Sequence, residues 1–486
     1  METVEQVAPN TSTAATFSEE EWSHTPVAVQ EAFLALLLQV QHLEAMVAEL
    51  TERVNRNSRN SSQPPSSDGP EVPRKGAKRS QRPRQRGGQP GHPGTHRALV
   101  PPEELSGSSD VKPTTCAQCG AALSGTDPAP QRHQVIEIPP IVAEIFEYRL
   151  HTLCCEHCGA ETRASLPEGV PQGAFGPRLQ AVVSALSGRY HLSKRNAQAL
   201  LADFFGVELS LGSISALEQR TSEILRAPVT EAREYIREQP VVHMDETGWK
   251  ESNQKAWLWT AATPEVTVFL VRNSRGAKVA KEMLGETFAG IVNSDRWSAY
   301  NWLDVLARQL CWAHLIRDFQ TFVERGADSQ RIGEALLAQV EAMFAAWHTF
   351  RAGHTTRARF QDTMRPIQQQ VAALLREGTT STHTKTAGTC RDILKREGAL
   401  WTFVHTDGVE PTNNFAERQV RPGVIWRKLS FGSQSHAGSR CVERIMTVAT
   451  TLQQQQRNLL DYLTQACASA NFGNSPPSLL PLRATT

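Results

Sequence analysis

The chain has 486 residues, which is enough for several domains that each bury a core of their own. Its 51 basic and 50 acidic residues nearly cancel, so the net charge of +1 does not point to any class of partner. No apolar run reaches the roughly 18 residues of a membrane helix, and the acidic, polar N-terminus is unlike a secretory signal. We therefore expect a cytoplasmic protein whose nine cysteines are metal ligands or buried thiols rather than disulfides.

The N-terminal region contains a heptad repeat. Residues 1–28 show no periodicity and are predicted to be disordered. Residues 29–57 are predicted to form a coiled coil, because apolar residues alternate in steps of three and four. The repeat consists of Phe33, Leu36, Val40, Leu43, Val47, Leu50 and Val54. Valine at a and leucine at d favours a parallel homodimer. The run covers only about three heptads, so one amphipathic helix packed on its own chain is the alternative.

A linker rich in Pro and Gly is predicted at residues 58–108. Its part from 73 to 102 has eight basic residues and no acid, a composition typical of a flexible arm that binds nucleic acid. Such an arm would hold phosphates in a salt-dependent way without reading sequence, although a simple tether is the alternative. The cations proposed to contact DNA are Arg74, Lys75, Lys78, Arg79, Arg82, Arg84 and Arg86.

Residues 109–170 contain two cysteine knuckles and are predicted to form a zinc-ribbon-like module. Cys116 and Cys119 form the first pair, Cys155 and Cys158 form the second, and a glycine follows each pair. A two-residue gap lets both thiolates of a knuckle reach one tetrahedral Zn²⁺. Cys154 is an alternative ligand to Cys155. The β-branched segments QVIEIPP and IVAEIFEYRL between the knuckles are predicted to be strands.

Residues 171–238 have a helical pattern. A helix, a turn at Gly206 and a second helix capped by Ser210 or Ser213 would be compatible with a helix-turn-helix, whose second helix near Ser213–Arg220 could enter a major groove of DNA. Two ordinary packed helices would give the same pattern.

An α/β domain is predicted from residue 239. Three strands, a helix and a strand follow in the order of a ribonuclease H-like sheet, over residues 239–318. Asp245 and Asp295 are both predicted at the ends of buried strands that lie side by side. Two carboxylates there would raise each other's pKa unless a divalent cation such as Mg²⁺ bound between them. Residues 319–400 are predicted to be a helical insertion, with a polar loop near 377–389.

A basic helix follows within residues 401–468, and 469–486 are a tail. Asn414, Glu417 and Arg421 are spaced by three and four, which puts them on one helix face. Six basic residues and one acid lie in 418–444, so Glu417 is set in a region suited to phosphates.

Several of these segments together resemble the large DDE-type transposase of the insertion sequence 66 family. The matching motifs are HMDETGW, VNSDRWSAY, CWAHLIRDF and PTNNFAERQVRP with WRKLSFGS, preceded by GGQPGHPG and the cysteine knuckles. Their order is more specific than a single D…D…E trio. One departure is Thr412, where the family often has an acid.

The resemblance implies a catalytic triad of Asp245, Asp295 and Glu417 that binds two Mg²⁺ or Mn²⁺ ions. These ions would support phosphodiester hydrolysis and strand transfer, with Asp245 bridging both. Glu246 is a rival to Asp245, but neighbours on a strand point to opposite faces. The residues proposed to hold DNA phosphates at this site are Arg418, Arg421, Arg427 and Lys428. The expected partners are DNA, a second copy of the chain and accessory proteins of the same element.

Two other functions fit parts of the pattern. One is a different ribonuclease H-fold nuclease, for which the knuckles, coiled coil and basic arm would be superfluous. The other is an inactive DNA-binding relative, against which the three intact acids argue.

Overall fold

The computed structural model describes residues 22–57, 61–63 and 97–481. It divides into two compact units. One contains Met1–Arg74 and His314–Lys395, and the other contains Lys75–Ala313 and Arg396–Thr486. Each unit is described separately below.

Helix α1, Val27–Asn55, confirms the helix predicted from the heptad repeat. Its apolar residues, including those at a and d, are exposed to solvent. The segment Val27–Glu52 is also long and apolar enough, by length and composition alone, to cross a membrane. Polar residues such as Gln39, Gln41 and Glu44 interrupt this helix, so it is not the uninterrupted apolar run that the sequence was found to lack.

The region of the cysteine knuckles has little regular structure. Strands β1, Thr152–Cys154, and β2, Glu161–Arg163, pair antiparallel around the second knuckle. The strands predicted at residues 134–150 are absent, since that stretch has neither helix nor strand and its apolar side chains are exposed. β-branched composition favours a strand only where a partner strand and a buried face exist, and this stretch has neither in the described residues.

Four helices confirm the helical pattern before the sheet. They are α2 Pro177–Gly188, α3 Lys194–Phe205, α4 Leu211–Ile224 and α5 Arg226–Arg237. Gly206 ends α3 in the left-handed conformation that glycine favours, and the Ser210 hydroxyl accepts the Ser213 N–H at the start of α4. Helix α4 packs against the C-terminal helix that begins at His436 and against α2.

A five-stranded mixed sheet forms the centre of the second unit. Its strands and the helix between them are β3 Val241–Glu251, β4 Gln254–Ala262, β5 Thr267–Arg272, α6 Ala277–Leu284, β6 Ile291–Ser294 and β7 Arg308–Leu310. The spatial order is β5-β4-β3-β6-β7, with the first three strands antiparallel and β6 and β7 parallel to β3. The predicted order of elements along the chain, three strands, a helix and a strand, is therefore confirmed.

The helical insertion begins with α7, Trp312–Glu324. It continues through α8 Ala327–Arg351, α9 Arg357–Gly378 and α10 Thr384–Leu394. Helices α8, α9 and α10 pack in sequence, and the rings of Phe350 and Phe360 stack with centroids 4.8 Å apart. The polar loop predicted over 377–389 is shorter than expected, because α10 already begins at Thr384.

The chain then returns to the sheet. The short helix α11 is followed by a loop and three longer helices: α11 Thr402–His405, α12 Asn414–Ser430, α13 His436–Gln454 and α14 Leu459–Asn471. Helix α12 packs on β3 and β4, and α13 packs on β5. Strands that are apolar on both faces are expected in a sheet covered by helices on both sides, and both faces of this sheet are buried.

Candidate active site

The alternation of side chains along β3 separates the two neighbouring acids Asp245 and Glu246. Asp245 shares a face of the sheet with His243 and Thr247, and this face is covered by α12 and the loop before it. His243 bonds Asn413 through Nδ1 at 3.2 Å, and the Thr247 hydroxyl accepts Arg427 at 3.3 Å. Glu246 points to the other face. The expectation that only one of the two acids faces the predicted site is consistent with this geometry.

Asp245 does not lie at a strand end, which corrects one expectation from the sequence. Strand β3 continues to Glu251 because its second half forms a hairpin with β4. What ends near Asp245 is the parallel ladder with β6, whose last pair is His243 and Asn293. Asp295 follows directly after β6, as predicted. The two aspartates therefore lie where two neighbouring strands stop pairing.

Two asparagines attach the loop before α12 to the sheet. The Asn413 side-chain N–H donates to the Met244 carbonyl at 2.6 Å, and the Asn293 side-chain N–H donates to the Glu410 and Thr412 carbonyls at 2.7 and 3.1 Å. Both asparagines are buried, so each bond satisfies groups that would be costly to leave unpaired. These bonds fix the start of α12 at the edge where β3 and β6 diverge.

Helix α12 carries Glu417 in its first turn, four residues after Asn413. The Glu417 N–H donates to the Asn413 carbonyl at 3.2 Å. Gly423 lets the helix approach the sheet closely, since a Cβ there would lie 2.3 Å from Leu258 Cδ2. Glu417 is held on the Asp245 side of the sheet as a result.

The electrostatics of Asp245 show that the predicted acids lie near one another. Burial raises the pKa of Asp245 well above its usual value, and the charges of Glu246, Glu417 and Asp295 raise it further. Carboxylates from β3, from the end of β6 and from α12 thus repel one another across one small region.

Glu246 belongs to a separate buried network on the opposite face. Its carboxylate accepts Arg275 Nε at 2.7 Å and the Tyr300 hydroxyl at 2.7 Å. Burial and the charge of Asp295 raise the pKa of Glu246, while Tyr300 and Arg275 lower it. Arg275 also lies 3.7 Å from an Asp295 oxygen, so one guanidinium links both acids.

Two indoles hold Arg275 in this position. Its guanidinium lies 4.1 Å from the ring centre of Trp297 and 4.9 Å from that of Trp257. Trp297 also donates its indole N–H to the Arg275 carbonyl at 2.8 Å. Two other tryptophans of this region, Trp249 and Trp259, are buried core residues.

The donor set suits a hard divalent cation. Asp245, Asp295 and Glu417 offer only carboxylate oxygens, which Mg²⁺ and Mn²⁺ prefer. Thr260, the cross-strand partner of Asp245, has a buried hydroxyl without a hydrogen-bond partner among the described residues. A bound cation would relieve both the mutual repulsion of the acids and the unsatisfied Thr260 hydroxyl. The Cys311 thiol lies within 4.8 Å of Glu417, and it accepts the Asn413 N–H at 3.1 Å.

The four cations proposed to hold DNA phosphates all lie on α12. Arg418, Arg421 and Lys428 are exposed. Arg427 is half-buried and donates to Thr247 and to the Gly248 carbonyl, so its contacts in this structure are with β3. The cations predicted in the arm, from Arg74 to Arg86, lie outside the described residues.

The two cysteine knuckles have the same local geometry. The N–H groups of Cys116 and Cys155 donate to the carbonyls of Ala121 and Ala160, each at 2.8 Å. Gly120 and Gly159 have φ values of +72° and +71°. The backbone N–H groups of Cys119 and Gln118 lower the pKa of Cys116, as those of Cys158 and His157 lower the pKa of Cys155.

Cys155 therefore occupies the position equivalent to Cys116. Cys154 lies in β1, and its thiol contacts the Gly159 carbonyl at 3.4 Å. The described residues do not bring the sulfurs of both knuckles into one group within 4.8 Å.

Helix α4, the second helix of the predicted helix-turn-helix, is hydrogen-bonded and ion-paired to other helices. Arg220 donates to Asn471 at 2.9 Å, and Lys194 of α3 pairs with Glu218 at 3.2 Å. The exposed residues near its N-terminus, Gly212 and Ala216, are small and uncharged. The arrangement of a helix, a turn and a second helix agrees with the prediction, but this face offers few groups for base contacts.

Sequence reasoning missed Arg275, Tyr300 and Asn413 as parts of the site. Arg275 belongs to no quoted motif, and Tyr300 ends the quoted motif VNSDRWSAY without having been assigned a role; only the sheet topology brings both to Glu246. Asn413 stands in the quoted PTNNFAER motif, so that motif could have indicated an anchoring role.

Comparison with known proteins supports the resemblance. The sequence model of the transposase IS66 family matches residues 172–441, more than half of the chain, and a family of unknown function (DUF6444) matches residues 9–98. Two curated relatives come from Sinorhizobium fredii. The uncharacterized protein y4qI is 29% identical over 234 residues, which is 43% of each chain. The uncharacterized protein y4jD is 22% identical over 346 residues, which is 65% of this chain and 66% of the relative. The matched regions thus span less than two thirds of either relative.

Proposed function

The chain belongs to the transposase IS66 family, and from this premise we propose that it is the DNA transposase of a bacterial insertion sequence. In this proposal it cuts DNA strands and joins them to a target through Asp245, Asp295 and Glu417. The proposal concerns the reaction and the residues that perform it.

One observation carries the proposal. Burial raises the pKa of Asp245, and so do the charges of its neighbour Glu246 and of two carboxylates that are far from it in sequence, Glu417 and Asp295. Such a cluster is costly in a folded protein unless a cation neutralises it, and clusters of perturbed acids mark functional sites more often than structural ones.

The fold supports the same conclusion. The sheet order β5-β4-β3-β6-β7, with one hairpin-linked antiparallel half and one parallel half, is the order expected of a ribonuclease H-like domain. We propose that fold for residues 239–318 with the helices that follow residue 401, interrupted by the helical insertion.

Asp245, Asp295 and Glu417 would hold Mg²⁺, or Mn²⁺. When bound, the metal activates a water or a DNA 3′-hydroxyl and stabilises the leaving oxygen of a phosphodiester. Asn413 and Asn293 keep Glu417 at the edge where the two aspartates lie, because they tie the loop before α12 to β3 and β6. Arg275 pairs with Glu246 and lies near Asp295, so it offsets part of the negative charge around the site.

The exposed cations of α12 extend from Glu417 along one helix. Arg418, Arg421 and Lys428 would bind phosphates of the DNA that enters the site, which positions the strand without reading its sequence. Arg427 would do so only after releasing its contacts with β3. The arm from Arg74 to Arg86 would add affinity that depends on salt.

The remaining modules are proposed to support assembly on DNA. The two knuckles would bind structural Zn²⁺ through Cys116, Cys119, Cys155 and Cys158, and α1 would form a homodimer that brings two element ends together. Accessory proteins of the same element are further proposed partners, and the proposed location is the cytoplasm.

Nicking of plasmid DNA tests the proposal in a purified system. The full-length protein is incubated with supercoiled plasmid that carries the two ends of the element, with Mg²⁺, with Mn²⁺ or without either. We expect relaxed and linear products only with a divalent cation, and none from Asp295→Asn. Products that form equally in the absence of divalent cations would refute the proposal.

A further inference from the structure

The turn that ends α12 exposes an aromatic side chain in a strained backbone conformation. Phe431 is 75% exposed, and its φ of +59° lies in the left-handed region. A bulky residue is disfavoured in that region, and glycine or asparagine is the usual choice at the end of a helix. Both the exposed ring and the backbone conformation therefore lower the stability of the folded chain.

The surrounding contacts keep Phe431 in this conformation. Its N–H donates to the Arg427 carbonyl at 2.8 Å, which closes the last turn of α12. Gly432 follows with φ +109°, where a Cβ would lie 2.3 Å from the Lys250 carbonyl oxygen. Ser433 then pairs with the end of β3, since its N–H donates to Lys250 at 2.9 Å and its carbonyl accepts Ser252 at 2.9 Å.

The side chain of Ser433 strengthens the same attachment. Its hydroxyl accepts the Trp249 indole N–H at 3.1 Å and contacts the Ser439 hydroxyl at 2.7 Å. The turn is thus fixed to α12, β3 and α13 at once. A residue that such a framework holds in a strained, exposed position is commonly functional.

Charge complementarity indicates what the ring contacts. Lys428 lies one turn before Phe431 on α12. Lys250 directly precedes Glu251, which forms a β-bridge with Ser433. Both lysine side chains are exposed. An exposed ring on a turn flanked by two exposed lysines suits a nucleic acid, in which phosphates and the flat faces of bases lie close together.

The position along the helix defines the part of the DNA concerned. Phe431 follows Glu417 by fourteen residues, which is about 21 Å along a helix. At about 3.4 Å per base pair, this distance corresponds to about six base pairs.

We propose that Phe431 stacks on an unpaired or unstacked base of the bound DNA, about six base pairs from the scissile phosphate. This inference rests on the proposed function, because it assumes that DNA lies along α12. It adds a base-binding site to the phosphate contacts of the helix, and this site accepts any base because every base has a flat face.

A fluorescence experiment tests the stacking. Full-length protein is titrated, without added divalent cation, onto two duplexes of about 30 base pairs, roughly three helical turns. One carries a single bulged 2-aminopurine, and the other carries 2-aminopurine in a normal pair. We expect wild type to quench the bulged probe and to bind it more tightly than the paired duplex.

Phe431→Ala should lose the quenching and bind the bulged duplex about 5- to 100-fold more weakly, the range for loss of one stacked base. Phe431→Trp should retain both effects. Phe431→Gly should behave like Phe431→Ala but with a Tm at least as high as that of wild type, because glycine relieves the strain. That result separates loss of stacking from loss of folding.

Phe146→Ala is the matched control, since Phe146 is equally exposed at 75% and lies between Glu144 and Glu147 rather than between cations. It should bind both duplexes as wild type does. Lys428→Gln should weaken the binding of both duplexes to the same extent, as loss of a phosphate contact does.

The outcomes distinguish this inference from the proposed function. If wild type binds neither duplex, the DNA-processing function itself fails. If wild type binds DNA and Phe431→Ala retains its preference and its quenching, the stacking proposal alone is wrong. If Phe431→Ala instead changes only the oligomeric state, the ring contacts another protein chain, and the proposal is likewise wrong.

Discussion

Asp245 in β3 and Asp295 just after β6 lie at matching positions, each two residues beyond the last pair of the parallel ladder, His243 and Asn293. The strands diverge at this point, and the space between them faces the start of α12. This register explains how two acids fifty positions apart in sequence come to repel each other.

The charge cluster predicts an unusual dependence of stability on pH in the absence of metal. Burial and three neighbouring carboxylates raise the pKa of Asp245, so the folded chain binds its proton more strongly than the unfolded chain does. The contribution of the protonated Asp245 carboxyl to the free energy of unfolding is fully present below its pKa in the unfolded chain, about 3.9. It is lost as pH rises through the higher pKa of Asp245 in the folded chain. Asp245→Asn should therefore raise the Tm by a few degrees at pH 8, and by less at pH 5.

Mg²⁺ should make wild type more stable than Asp245→Asn, the reverse of the order expected without metal. It should raise the Tm of wild type, by an amount that corresponds to about 2.7 kcal/mol at a hundred times its Kd, and should leave Asp245→Asn almost unchanged. Glu286→Gln, which alters an exposed acid, is the control and should follow wild type. Equal responses of wild type and Asp245→Asn to Mg²⁺ would mean that Asp245 binds no metal.

Arg275 should be needed for stability as well as for the site. Its partner Glu246 has a side chain that is only 1% exposed, so Arg275→Ala leaves a buried carboxylate without its cation. We expect a loss of about 3 kcal/mol in the free energy of unfolding, measured with urea. Arg226→Ala removes an exposed pair with Glu223 and should cost less than about 1 kcal/mol. Similar losses from both variants would show that the Glu246 network does not stabilise the fold.

The shared geometry of the knuckles predicts which cysteine binds zinc. Cys155 matches Cys116 in its turn, whereas Cys154 lies in β1. Purified protein should contain Zn²⁺, and Cys155→Ser should lose it while Cys154→Ser retains it, as measured by elemental analysis. Zinc lost from the Cys154 variant alone would assign the ligand to Cys154 instead.

The heptad repeat predicts dimerisation through α1. Its apolar seam is exposed in the single chain, and Leu43 lies at a d position. Light scattering should give wild type a mass near twice 53.7 kDa. Combined Val40→Lys and Leu43→Lys should give a monomer, because charges at a and d are desolvated in the seam. Ala45→Lys, at an outer position, should remain dimeric. A dimer that survives the seam substitutions must form through another surface.

The sequence predicted the α/β sheet better than it predicted the surroundings of the three proposed acids. Strands β4 and β5 have apolar runs bounded by polar residues, so their positions follow from composition and periodicity. The end of β3 was misplaced because Asp245 and Glu246 look like a strand terminus, and only pairing with β4 carries the strand on to Glu251. The strands predicted at 134–150 failed because β-branched residues there have no partner strand.

The network around Glu246 could not be predicted from local sequence. Arg275 and Tyr300 lie 29 and 54 positions from Glu246, and no spacing rule relates them. Glu417 was proposed because it belongs to an ordered motif. Asn413, four residues before it, became informative only through its contacts with Met244 and His243.

The measurement that tests the central claim most directly is mobility of the element in cells. The element, with its other genes and a selectable marker, is placed on a donor plasmid, and insertions into target DNA are counted. Wild type is compared with Asp245→Asn, Asp295→Asn and Glu417→Gln, each checked for folding, and with Glu286→Gln as a matched control. We expect wild type and the control to move the marker, and each triad variant to lose about a thousandfold, as loss of a metal ligand should cause. A folded triad variant that transposes at the wild-type rate would contradict the assignment of that residue, and a silent wild type would contradict the proposed function.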